Sequence, residues 1–159
     1  MNQDVLPIAV VERYGKNGNA GKAFVKGFGL KRGAFAESVS HDSHNIIVVG
    51  TDYDDMSLAV NRVIEMSGGV AVVQNRQVLS DLRLPIGGLM TDEMDGFEVT
   101  RKIEELHRIV RSELGCTLHA PLMHLSFLSL TTSPKWKITD QGLIDVENFR
   151  KLSPICSDG

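Results

Sequence analysis

The chain has 159 residues, 42% of them apolar and 23% charged, with a net charge of −3. A chain of that size forms one domain and removes roughly 70% of its unfolded surface from water, so a core can hold it without disulfide staples. Both signs of charge are interspersed, no basic block exists and aromatics make up only 6%; phosphate neutralisation and base stacking are poorly supplied, which excludes nucleic acid as the main partner.

The first segment, MNQDVLPIAVVERYG, carries Asp4 and Glu12 and lacks the basic start and apolar run of a signal peptide. No window approaches the roughly 18 apolar residues of a membrane span, so no membrane partner is expected and the cytoplasm is the expected location. Leu6 to Glu12 reads as a strand, ended by the Gly/Asn-rich turn RYGKNGNAG. In FVKGFGLKRG the glycines point to a bulge or a close backbone approach. A phosphate cradle would need those glycines to open a helix, and no helical pattern follows. Ala34 to Val39 is a second short strand, and IIVVG, after HDSHN, reads as a buried central strand.

TDYDDMSLAVNRVIEMSGG is the clearest helix, with Asp52 or Asp54 at its start and Gly68-Gly69 at its stop. VAVVQNRQVLSDLRL reads as a hairpin turning at Gln74-Asn75-Arg76, and PIGGLMTDE as a glycine-rich connection. Phe97 to Leu114 forms a second helix whose apolar stripe is Phe97, Ile103, Leu106, Val110 and Leu114. LMHLSFLSL is expected to be a strand, WKITDQGLIDV a last strand pair, and residues 150–159 a flexible tail after a core at about 6–149. The predicted fold is α/β or α+β: a single domain, a mixed β-sheet sandwich with two main helices.

His41, Asp42 and His44 are the candidate site. Neutral imidazoles beside a carboxylate can bind a metal, or the carboxylate can orient one ring. HxxH supplies at most two of the three or four ligands a site needs, and a polar turn hydrogen-bonded to backbone ahead of a buried strand is the competing account. The acidic groups TDYDDM and MTDEMD fail the EF-hand pattern and read as helix caps. Ser126, Ser129, Thr131 and Thr132 lie near His119 and His124, but no GxSxG elbow is present. Cys116 and Cys156 show no CxxC and no required pairing.

The runs AFVKGFGLKRGAFAESVSHDSHNIIVVGTDYDDMSLAVNRVIEMSGG, LRLPIGGLMTDE and LMHLSFLSLTTSPKWKITDQGLIDVENF closely resemble the C-terminal domain of adenine deaminases. The likeness runs from about Ile8 to Phe149. Tyr14, where that family commonly has histidine, and His124, where it has a small residue, depart from the pattern. The resemblance implies an enzyme of the amidohydrolase group that converts adenine and water to hypoxanthine and ammonia at a manganese or iron centre. The metal-binding residues of such enzymes lie in a (β/α) barrel preceding this domain, and such a barrel needs roughly 200 residues of its own. The expectation is therefore an accessory domain, inactive without a barrel partner in cis or in trans, with family members typically homo-oligomeric. His41, Asp42 and His44 are then expected to support the active site from a strand edge facing the barrel. An autonomous metal-dependent hydrolase built on these three residues, or a non-catalytic binding module, are the alternatives.

Overall fold

The computed structural model describes residues 4–155. Nine strands and three helices follow in the order β1 (Val5–Val11), β2 (Ala20–Lys26), β3 (Ala34–Glu37), β4 (Ile46–Gly50), α1 (Tyr53–Glu65), β5 (Gly69–Gln74), β6 (Gln77–Arg83), α2 (Gly96–Ser112), α3 (Pro121–Phe127), β7 (Trp136–Thr139), β8 (Gly142–Asp145) and β9 (Arg150–Leu152). Six strands form one sheet in the order β2-β1-β4-β3-β5-β6, and β7-β8-β9 form a second. All the strand pairings are antiparallel, so the fold is α+β.

Period-two alternation sorts the large sheet into two faces. Ala34, Ala36, Ile46, Val48, Ala71 and Val73 face α1, where Met56, Ala59, Val60 and Val63 cover them. Leu6, Ile8, Val10, Phe35, Ile47, Val49, Val70 and Val72 face the other way, against α2, α3 and the small sheet. The all-apolar IIVVG is buried on both faces and sits inside the sheet, as its sequence predicts.

The acidic clusters cap helices. Asp52 accepts hydrogen bonds from the Asp54 and Asp55 amides at 2.9 and 3.0 Å, and Asp95 forms a capping box with Glu98. At the helix stop, a Cβ on Gly69 would lie 1.9 Å from the Leu82 carbonyl, and its φ of +134° adds a second reason for glycine. In GFGLKRG the Gly27 and Gly29 amides donate to the Asp4 carboxylate at 2.9 and 3.0 Å, so a side chain of this chain fills the supposed cradle.

Three expectations change. LMHLSFLSL contributes the short helix α3, not a strand: Pro121 stands in its first turn, and Leu122, Leu125 and Ser126 recur at helical spacing on its buried side. The stripe of α2 is buried at Leu106, Val110 and Leu114, whereas Phe97 is 84% exposed and Ile103 lies on the surface. The segment expected to be a tail from residue 150 opens with β9, paired to β8 through Leu143↔Leu152 and Asp145↔Arg150. Cys116 is buried, and Cys156 lies outside the described residues.

Candidate functional site

The HDSHN turn connects β3 to β4 at one end of the large sheet, where β1 also ends and β5 begins. Residues distant in sequence converge there. The His41 and His44 rings meet edge to face with centroids 5.8 Å apart. The His41 ring also packs on Phe127 of α3 at 5.7 Å. Asp42 is exposed.

Arg13, just past β1, ties the turn to the glycine-rich connection. Its Nε donates to the His44 carbonyl at 2.5 Å, and its other arm donates to the Gly87 carbonyl. Its guanidinium also lies 4.7 Å from the centre of the Tyr14 ring. The Tyr14 hydroxyl donates to the Ser43 carbonyl at 2.7 Å, so the residue departing from the expected histidine braces the same turn. Ser38 joins the neighbouring segments, accepting from the Gly69 amide at 2.8 Å and donating to the Gly88 carbonyl at 2.7 Å.

Behind the turn lies a buried polar layer. The Ser40 and Ser129 hydroxyls are 2.6 Å apart, and Ser129 donates to the His41 carbonyl at 2.7 Å. Glu37, at the end of β3, is 2% exposed. Burial pushes its carboxyl well above the usual carboxylate range, although the Ser126 backbone N–H partly opposes this. Among the described residues its Oε1 has no hydrogen-bond partner, nor does the Ser126 hydroxyl. His44 is shifted the other way: burial lowers its pKa, the positive fields of His41 and Arg13 add to that, and Asp42 opposes it. At neutral pH His44 is therefore a neutral imidazole, able to exchange hydrogen bonds and carrying no charge.

A metal does not fit these residues. Among the described residues no three His, Cys, Asp or Glu side chains converge as a ligand set. Asp52, the nearest acidic residue after β4, caps α1 at the other end of that strand. His124 Nδ1 lies 2.8 Å from the Ala120 carbonyl of its own helix. The fold brings His41 and His44 together, and no third ligand stands beside them among the described residues. Sequence reasoning overlooked Arg13, Phe127 and Glu37. For Glu37 a signal existed, because alternation aligns it with Phe35 on one face of an internal strand.

A small α+β domain with a braced, histidine-bearing turn at one sheet end is thus the class that the fold defines. The family described as "Adenine deaminase C-terminal domain" matches residues 1–150, and the chain belongs to it. It is 76% identical to "Adenine deaminase 1" of Carboxydothermus hydrogenoformans over 155 residues, 98% of this chain and 26% of that protein. It is 46% identical over 155 residues to "Adenine deaminase" of Methanococcoides burtonii, and 49% identical over 150 residues to that of Archaeoglobus fulgidus, again 26% of each relative. The chain spans about a quarter of the length of the curated relatives it matches.

Proposed function

We propose that this chain is the C-terminal accessory domain of an adenine deaminase, serving a reaction in which water displaces ammonia from adenine to give hypoxanthine. The observation that carries this reading is the family match over residues 1–150, joined to relatives named adenine deaminase of which it spans 26%. The remaining part of such an enzyme, in cis or in trans, supplies the catalytic barrel and the manganese or iron; among the described residues no three His, Cys, Asp or Glu side chains gather as a ligand set. A cytoplasmic location and homo-oligomer formation are part of the same proposal; no helix among the described residues is long and apolar enough to cross a membrane.

His41, Asp42 and His44 act as positioning residues in this reading. The neutral His44 imidazole and the His41 ring form a rigid, hydrogen-bonding end to the domain, held by Arg13, Tyr14 and Ser129. The test measures ammonia release from adenine, with manganese supplied, by the isolated chain and by a chimera. In the chimera this chain replaces the matching 155 residues of the Carboxydothermus protein. The expected result is no turnover by the isolated chain, turnover by the chimera, and a several-fold loss of turnover in the chimera carrying His41→Ala and His44→Ala. Turnover and bound metal in the isolated chain would replace this reading with an autonomous hydrolase.

A further inference from the structure

The braced turn continues on both sides into exposed apolar side chains. On one side Phe127, in contact with His41, is 44% exposed, and Met123, one turn earlier on the same face of α3, is 52% exposed. On the other side Arg13 reaches Gly87, and the bridge Ile86↔Met90 encloses that glycine with Ile86 43% and Met90 59% exposed. Met123, Phe127, His41, His44, Arg13 and the Ile86–Met90 loop therefore form one strip. Its middle is polar and pinned by hydrogen bonds; its ends are large, flexible apolar groups in water. Methionines at the rim suit a surface that packs against another one. The His44 Nδ1 in the middle is shielded from water and has no hydrogen-bond partner among the described residues.

We propose that this strip is the docking surface for the catalytic portion of the enzyme, the part of the relatives' polypeptide that this chain does not span. The inference rests on the accessory-domain reading and adds to it the surface through which the two parts meet. Two observations favour this occupant over a second copy. The relatives extend over about four times the matched length, 26% being covered, so a large partner surface accompanies this domain in each of them. A mixed surface, apolar at its ends and polar at its centre, also matches contacts between domains of one chain, which are more polar than obligate dimer cores.

Thiol accessibility tests it. Single cysteines are introduced as Met123→Cys, Ile86→Cys and, as a control on the α1-facing side of β2, Phe24→Cys, each with Cys156→Ser. All three sites are exposed, so folding is preserved. Labelling by a charged thiol reagent is compared between the isolated chain and the Carboxydothermus chimera, after subtracting the chimera without the introduced cysteine. At both strip positions labelling should slow at least tenfold in the chimera, with Phe24→Cys unchanged. Unchanged labelling at the strip overturns the proposal. So does equal slowing at all three positions. Slowing in the isolated chain that grows with its concentration would assign the strip to a second copy and overturn it too. Adenine turnover, measured on the same chimera, separates the two claims: an inactive chimera with a protected strip removes the accessory-domain reading and keeps the interface, whereas an active chimera with an open strip does the reverse.

Discussion

At the scale of single residues the least expected group is Glu37, a buried carboxyl with one oxygen unpartnered among the described residues. Its pKa is raised in the folded chain by burial. The folded state therefore holds the proton more tightly than the unfolded one, where the ordinary value of 4.5 applies. Stability tied to Glu37 is fully present below that value and falls as pH rises toward the folded value, by about 1.4 kcal/mol per pH unit of that window. Glu37→Gln keeps the shape and removes the titration. Urea midpoints measured from about pH 4 to about pH 9 should decline for the parent and flatten for the variant; parallel curves would mean that Glu37 ionises at little cost. Arg13 gives a second prediction. Its two hydrogen bonds to carbonyls are part-buried and exposed, so Arg13→Ala should cost about 1–2 kcal/mol, and exchange at the His44 amide, now bonded to the Ser40 carbonyl, should quicken. Arg13→Lys should recover only part of either effect, since a point charge cannot span both acceptors.

Among elements, the β5–β6 hairpin turns on Asn75 and Arg76, both left-handed at φ +52° and +59°. The asparagine suits that conformation and the arginine does not. What Arg76 brings in return is an ion pair with Asp54 whose partners are 77% and 62% exposed, and such pairs contribute little. Arg76→Gly should therefore stabilise the chain by about 0.5–1 kcal/mol in chemical denaturation. Its backbone amide must stay bonded to Asp55, at 2.7 Å, which glycine permits; a loss of stability would show that the ion pair outweighs the strain. This hairpin, the two long helices and strands β1, β3 and β4 were legible because period and punctuation agree over many residues, whereas β2 was hidden because its first residues fall in the Gly/Asn-rich stretch read as a turn. LMHLSFLSL was not legible either. Its apolar run fits either period over so short a span, and only Pro121 at the helix start distinguishes them. The candidate site was half legible. His41, Asp42 and His44 stand out as residue types, but the groups that fix their geometry, Arg13, Gly87, Phe127 and Ser129, lie 28 to 88 positions away, and no local pattern places them there.

For the molecule as a whole, the question is whether the two sheets behave as one unit. They touch where β7 and β8 lie against β2, and that approach depends on Gly21. A Cβ there would fall 1.9 Å from the Thr139 carbonyl and 2.6 Å from the Gly142 amide. No flexible side chain can yield, so Gly21→Ala must push the β7–β8 hairpin away, at a cost of about 3 kcal/mol. Gly96→Ala, with nothing within 4 Å, is the control and should be neutral or slightly stabilising. Ile138 of β7 is buried in the same cluster as Phe35, Leu106 and Leu125, and Leu143 of β8 packs against it. Displacing the hairpin therefore loosens the core that also seats α2 and α3. The loss should be shared, with both sheets melting together at a lower midpoint. Trp136, the only tryptophan of the chain, sits on β7 and reports the small sheet; far-ultraviolet circular dichroism reports the helices. Coincident transitions from the two probes in the parent and in Gly21→Ala are expected for one cooperative unit. An earlier tryptophan transition in the variant would mean that the small sheet detaches alone and that the large sheet with α1 carries its own stability.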